Sequence, residues 1–256
     1  MGKKIKDKAL IFQKIDAVGI IVIQRPEACN ALNAQVAEEL AVVCRQINLD
    51  ETVRVVIVTG AGQKVFSAGA DLNKHTKKKP ELFSVAASIA AMQCPTIAAI
   101  NGDALGQGLE LALACDIRIA VRKAHFALPH IAADVIPWDG ATQRLSRLIG
   151  IAKAMEMILT GETISASEAL RIGLVSKVVP QNELMPLAKS MARSMAAQSP
   201  LALSAAKEAV NKGMELTLEQ GLRLEADLYF LLHTTEDRTE GIKAFLEKRP
   251  PKFKGK

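Results

Sequence analysis

The sequence predicts an α/β fold in which stacked β-β-α units form a core and an almost wholly helical region follows. Two observations carry this. Up to Gly140, short β-rich runs alternate with glycine-bearing turns and helix-spaced stretches; beyond it, helical spacing takes over nearly throughout. The chain has 256 residues, 49% hydrophobic and 23% charged, which suits one large domain or one domain with a helical appendage. A chain of this size can bury a substantial core without metal or disulfide staples.

The elements follow in order. Residues 10–24 hold two β-rich runs, LIFQKI and GIIVIQ, around Asp16-Ala17-Val18-Gly19, which reads as a hairpin. Pro26 ends the second run because it cannot continue a strand ladder. Asn30 or Asn33 can then cap a helix reaching about Asn48, with Val36, Leu40, Val43, Cys44 and Ile47 on its apolar face. RVVIVTG is a buried-type strand, and a glycine-containing loop leads to the strand-like VFSAG. The order then repeats. Residues 84–93 have helical spacing, Pro95 breaks them, TIAAI is a strand, and Asn101-Gly102 turns the chain. Gly106-Gln107-Gly108 enters the apolar helix LELALACD, and DIRIAV and HFALP supply two more short strands. After Gly140, helices are expected near residues 142–148, 152–159, 166–172, 183–197, 201–212, 217–233 and 235–248, interrupted by the strand LVSKVV. Pro250-Pro251 is expected to close the folded region and leave a basic tail.

Composition narrows the function. Cys29, Cys44, Cys94 and Cys115 are too irregularly spaced for a zinc site or a secreted disulfide framework, so no metal is expected and a reduced, cytoplasmic setting is the economical reading. The beginning, MGKKIKDKALIFQKI, lacks the apolar stretch of a signal peptide, and no run of about 20 apolar residues could span a membrane. The formal charge is +6, with lysines gathered at residues 3–8, at 74–79 and from Lys248 onward. That excess suits an anionic ligand, or simply solubility. One Trp and one Tyr make a base-stacking platform hard to build, which argues against nucleic acid as the main ligand.

Two glycine-bearing turns are the candidate chemistry. In Phe66-Ser67-Ala68-Gly69-Ala70-Asp71-Leu72, small residues let a ligand approach the backbone closely. In Ala104-Leu105-Gly106-Gln107-Gly108-Leu109-Glu110, a turn enters a helix whose first N–H groups are unpaired. One N–H from each turn could hold a developing oxyanion.

Taken together, the motifs resemble the crotonase (enoyl-CoA hydratase/isomerase) superfamily nearly end to end. IQRPEACNALN resembles its segment after the first hairpin, VFSAGADL its first oxyanion-hole loop, and AINGDALGQGLELALACDIRIA its second loop and helix. IPWDGATQRLSRLIG, AMEMILTGETISASEALRIGLVSKVV and GIKAFLEKR complete the match. The resemblance implies a crotonase-like β-β-α spiral core over residues 1–195, then a C-terminal helical trimerisation region and basic tail over 196–256. It implies a homo-oligomer, a trimer or a dimer of trimers, and an acyl-CoA substrate, with coenzyme A part of that substrate and no separate cofactor.

By the same resemblance the thioester carbonyl would lie between the N–H groups of Ala68 and Gln107, the latter standing where most relatives have glycine. The backbone from Ala68 through Ala70 and Asp71 to Leu72 would cradle the CoA, and Lys74 with Lys77 to Lys79 could meet its phosphates. Glu110 occupies the first acid/base position; a lone carboxylate beside LALAC in so apolar a helix points inward. His130, in Leu128-Pro129-His130-Ile131, replaces the second carboxylate, and a histidine can exchange protons near neutral pH. Asp134 stands where many relatives have glycine, and Trp138-Asp139-Gly140 replaces a glycine-rich loop beside the acyl pocket. Trp138 would favour a compact or cyclic acyl group. Asp139 would ordinarily cap the next helix, although Asp134 or Asp139 could also be a further acid/base or a nucleophile. The leading expectation is addition or removal of water at a double bond conjugated to the thioester. Isomerisation, hydrolysis or ring opening, and an RNA-binding role remain as alternatives.

Overall fold

A computed structural model of the chain describes residues 8–71 and 83–256. β1 (Leu10–Ile15) and β2 (Val18–Ile23) pair antiparallel around Asp16-Ala17, with Asp16 in the left-handed region at φ 54°. A 3-10 turn at Pro26–Ala28 follows the hairpin. The Asn33 side chain accepts from the Val36 N–H at 3.0 Å and so caps α1 (Ala34–Leu49), which buries Val36, Leu40, Cys44 and Ile47.

Three turns of a spiral come next, and each adds one strand to each of two sheets. The first contains β3 (Val55–Gly60), β4 (Val65–Ser67) and α2 (Ala86–Ala90). The second contains β5 (Thr96–Ile100), β6 (Asp103–Leu105) and α3 (Gln107–Ala114). The third contains β7 (Ile117–Val121), β8 (His125–Ala127), a 3-10 turn at Pro129–Ala133 and α4 (Ala141–Ile149). Then come α5 (Ile151–Thr160), β9 (Ile164–Ser165), α6 (Ala166–Arg171) and β10 (Lys177–Val179).

Among the described residues the large sheet has the order β1-β2-β3-β5-β7-β10, parallel from β2 onward. The small sheet has the order β4-β6-β8-β9, with β9 antiparallel at its edge. β3 and β5 are buried along their whole length, which is why their apolar runs show no alternation. β6 and β9 are not legible in the sequence, because strands of three and two residues carry too little pattern.

The helical region contains α7 (Gln181–Ala196), α8 (Pro200–Gly213), α9 (Leu218–Leu232) and α10 (Glu236–Leu246). α7 lies across β3, β5 and β7 and buries Leu184, Ala188 and Ala192 there. α8 is tied to the core by Lys207, whose Nζ meets Asp116 Oδ2 at 2.8 Å and the Cys94 carbonyl at 3.1 Å. α8 and α9 themselves bury no residue fully, and Leu218, Phe230 and Phe245 are exposed, Phe245 to 82%.

The segment after Pro251 departs from the expected tail. Asp237, only 2% exposed, accepts the N–H groups of Lys254 at 2.6 Å and Gly255 at 3.0 Å, and Arg54 Nη2 donates to the Phe253 carbonyl at 2.6 Å. A buried carboxylate must find donors, and the returning backbone supplies them. No helix among the described residues is long and apolar enough to cross a membrane.

Candidate active site

The site collects one segment from each spiral turn. After β4 the chain runs through Ala68, Gly69 and Ala70 to Asp71, held against the segment before α1. The Leu32 N–H donates to the Gly69 carbonyl and the Asp71 N–H to the Leu32 carbonyl, both at 2.7 Å. This parallel bridge pairs Leu32 with Ala70, so the N–H of Ala70 points away from Leu32. Asp71 is fixed by an ion pair from Arg25 Nη2 at 2.8 Å. The Ala68 N–H, expected to face the carbonyl, instead donates to Cys29 O at 3.0 Å. The N–H groups of Ala70 and Gln107 make no hydrogen bond among the described residues. In this loop it is therefore the N–H of Ala70, and not the expected N–H of Ala68, that is left without an acceptor among the described residues. Leu72, Lys74 and Lys77 to Lys79 lie outside the described residues.

The second turn enters α3 through Gly106, at φ 51° and ψ −127°, whose own N–H donates to Ala127 O at 2.9 Å. The backbones pack closely here. A Cβ on Gly69, at φ 91°, would stand 2.8 Å from Leu105 O and 3.3 Å from Gln107 N. A Cβ on Gly108 would stand 2.6 Å from Ser67 O. Glycine at 69 and 108 is what allows the first donor loop to touch the second.

Glu110, one turn into α3, is completely buried. Its Oε1 accepts the N–H of Asp139 at 2.9 Å and of Ala141 at 3.0 Å, and Gly140 between them adopts φ 111°. Its Oε2 has no partner and faces His130 Nε2 at 3.7 Å, too far for a direct hydrogen bond. Burial, reinforced by the nearby Asp139 charge, pushes the Glu110 carboxyl up to about 7 against the lowering pull of its backbone donors and Arg144. Burial also moves His130 below its ordinary value, which favours the neutral imidazole. The ring lies over Gly106, where a Cβ would stand 3.7 Å from His130 Cε1. A neutral base and a carboxyl that titrates near neutrality thus face each other, which suits proton exchange.

Asp139 is bound from several sides. Its carboxylate accepts the N–H groups of Val85 at 2.9 Å and Ala86 at 3.1 Å, the Ser84 hydroxyl, and Gln107 Nε2 at 3.1 Å. It therefore caps α2 and not, as expected, the next helix: α4 begins at Ala141, with Gly140 at its N-cap and no side-chain cap. Only the folded chain brings α2 beside the loop before α4, so spacing could not show it. Asp134, exposed and left-handed at φ 57°, ends the 3-10 turn, where its N–H donates to the carbonyls of His130 and Ile131. Trp138 is 43% exposed beside Asp139. Among the described residues no group of three or more His, Cys, Asp or Glu could hold a metal ion. The backbone donors on Glu110 were missed; Gly140, between two N–H groups, was the available signal.

Comparison with known proteins identifies the family. The sequence model of the enoyl-CoA hydratase/isomerase family matches residues 13–256. The chain belongs to that family. Within the enoyl-CoA hydratase/isomerase family it is 42% identical to the 2,3-dehydroadipyl-CoA hydratase of Escherichia coli K12, over 96% of this chain and 99% of that one. It is 40% identical to the short-chain-enoyl-CoA hydratase of Clostridium acetobutylicum, over 94% and 95%. The crystal structure of an enoyl-CoA hydratase from Bacillus anthracis superposes with a TM-score of 0.93 at 41% identity, covering 97% of this chain and all of that one. The protein is a hydratase-like enzyme with the crotonase fold that its motifs resembled.

Proposed function

We propose that the protein adds water to, or removes it from, a double bond conjugated to a CoA thioester. The observation that carries this reading is the unpartnered Glu110 Oε2 facing neutral His130 Nε2 at 3.7 Å, next to two unengaged N–H groups. With the His130 proton on Nδ1 and Glu110 ionised, Nε2 and Oε2 are two acceptors whose separation matches the two O–H bonds of one water. As the water oxygen bonds to Cβ, Glu110 takes one of its protons. The π electrons shift through Cα to the thioester oxygen, which the N–H groups of Ala70 and Gln107 stabilise as an enolate. When the carbonyl re-forms, Cα takes a proton passed from Glu110 through His130. Water thus supplies both the hydroxyl and the proton, and the residues return to their starting states.

The bulk of Trp138 beside the Glu110 clamp supports a compact or cyclic acyl group. The exposed apolar side chains of α9 and α10 support assembly into a trimer or a dimer of trimers. The test follows ultraviolet absorbance of the conjugated thioester, with product mass, on crotonyl-CoA and on cyclic enoyl- and dienoyl-CoAs. A mass gain of one water, lost in Glu110→Gln and His130→Ala, is expected. An unchanged mass with a shifted double bond, or release of free CoA, would replace the reading with isomerisation or hydrolysis.

A further inference from the structure

We propose that the Asp139 carboxylate and the Gln107 amide form a positioning unit that sets the oxyanion-donor turn and the Glu110 clamp in register. The inference rests on the reading of Gln107 N–H as a carbonyl donor and Glu110 as the base. Neither Asp139 nor the Gln107 side chain touches the reacting atoms in this scheme; both act through groups that do.

Asp139 joins the parts directly. Its N–H holds Glu110 Oε1, its carboxylate holds Gln107 Nε2 and the first N–H groups of α2, and its carbonyl accepts Arg144 Nη1 at 3.0 Å. Gln107 begins α3, a helix with no side-chain cap; the peptide that carries its N–H is held through the Gly106 carbonyl, which accepts from Leu109 at 2.9 Å and Glu110 at 3.2 Å, and the Gln107 side chain adds a second anchor at its Cα. Nε2 donates to Phe83 O at 2.9 Å and to Asp139 Oδ2 at 3.1 Å. With acceptors at both contacts, the amide orientation is set. Oε1 is left buried without a partner, and Gln107 is only 2% exposed. A residue present merely to fill space would not carry an orphaned buried acceptor, which is costly. The amide is retained for what Nε2 holds.

Conservative and disruptive variants separate positioning from mere stability. In Asp139→Asn the carbonyl can take over the three donors on Oδ2 while the amide end donates to Ser84 Oγ, so the ties persist and only the charge is lost. Asp139→Ala removes the ties, and Gln107→Ala releases the amide but keeps the backbone N–H. The readouts are kcat and KM for crotonyl-CoA hydration, the pH profile of kcat, and the red shift of bound cinnamoyl-CoA as its carbonyl is polarised. Asp139→Ala and Gln107→Ala should each lower kcat about tenfold or more with KM changed less than about threefold, and the double variant should be no worse than the poorer single. Both should shrink the red shift. Asp139→Asn should regain most of the lost kcat. The groups facing Glu110 are His130, Asp139 and Arg144, and removing the Asp139 charge takes away a raising influence. The acid limb of the Asp139→Asn profile should therefore lie below the wild-type limb.

Losses that multiply in the double variant, an Asp139→Asn enzyme as poor as Asp139→Ala, or an unmoved acid limb would overturn the inference. If Asp139→Ala fails to fold, Gln107→Ala decides through the red shift: a full wild-type shift overturns the inference, a smaller one supports it. A wild-type protein that hydrates no enoyl-CoA would instead remove the functional reading. The cinnamoyl-CoA spectra of wild type and Gln107→Ala then judge the positioning unit independently.

Discussion

Replacing Glu110 by glutamine should stabilise the fold at alkaline pH while abolishing turnover, and the size of the gain follows from the carboxyl's surroundings. The amide is nearly isosteric. Its oxygen can keep both backbone donors, and its NH2 can turn towards His130 Nε2. What disappears is a buried negative charge. Burial raises the carboxyl from an ordinary 4.5 to about 7, so the folded state binds this proton more tightly than the unfolded chain does. The wild type therefore has its full stability from this group below pH 4.5 and loses it as pH rises through about 7. At about 1.4 kcal/mol per pH unit the loss comes to about 3 kcal/mol. The stability gap between Glu110→Gln and wild type should widen by that amount between about pH 4.5 and pH 8 in the variant's favour. Urea unfolding followed by far-ultraviolet circular dichroism, at one fixed protein concentration so that assembly contributes equally, measures it. A gap that does not change with pH, or a variant less stable than wild type at about pH 8, would refute the reasoning from burial.

Two further predictions concern the scaffold. Gly69→Ala places a methyl group 2.8 Å from Leu105 O at a left-handed φ of 91°. It should force the donor loops apart, lowering kcat about 100-fold and stability by about 1–3 kcal/mol, as read from hydration kinetics and urea unfolding. Asp237→Ala strips partners from Ser199 Oγ and from the N–H groups of Lys254 and Gly255. It should cost about 1–3 kcal/mol and make the last residues susceptible to carboxypeptidase; equal digestion of variant and wild type would contradict the docked tail.

Much of this was legible in the sequence wherever a signal is local. The Asn33 cap, the apolar runs of β3 and β5, and the lone Glu110 in an apolar helix each follow from neighbours a few residues away. His130 was singled out only by the family resemblance, which aligns it with a second carboxylate, and the structure sets it against Glu110. What stayed hidden depends on partners far along the chain. Whether Ala68 or Ala70 offers its N–H is decided by Cys29 and Leu32, and spacing within the loop says nothing of either. Asp139 reads as a cap in sequence, but the helix it caps begins more than fifty positions earlier. The docked tail escaped notice because Pro250-Pro251 looked like an ending, while the buried acceptor that recruits the chain beyond it sits on α10.

Because each spiral turn lays one strand on each sheet, the two sheets can only grow in step. Ala70 comes from the first turn, Gln107 and Glu110 from the second, His130 from the third, and the donors that hold Glu110 from the junction with α4. Most of these strand pairings are parallel and distant in sequence, which makes them slow to form. Catalytic competence is thus the last property the chain acquires: in refolding, recovery of activity should trail recovery of helical signal, and an interrupted winding leaves no half-working enzyme.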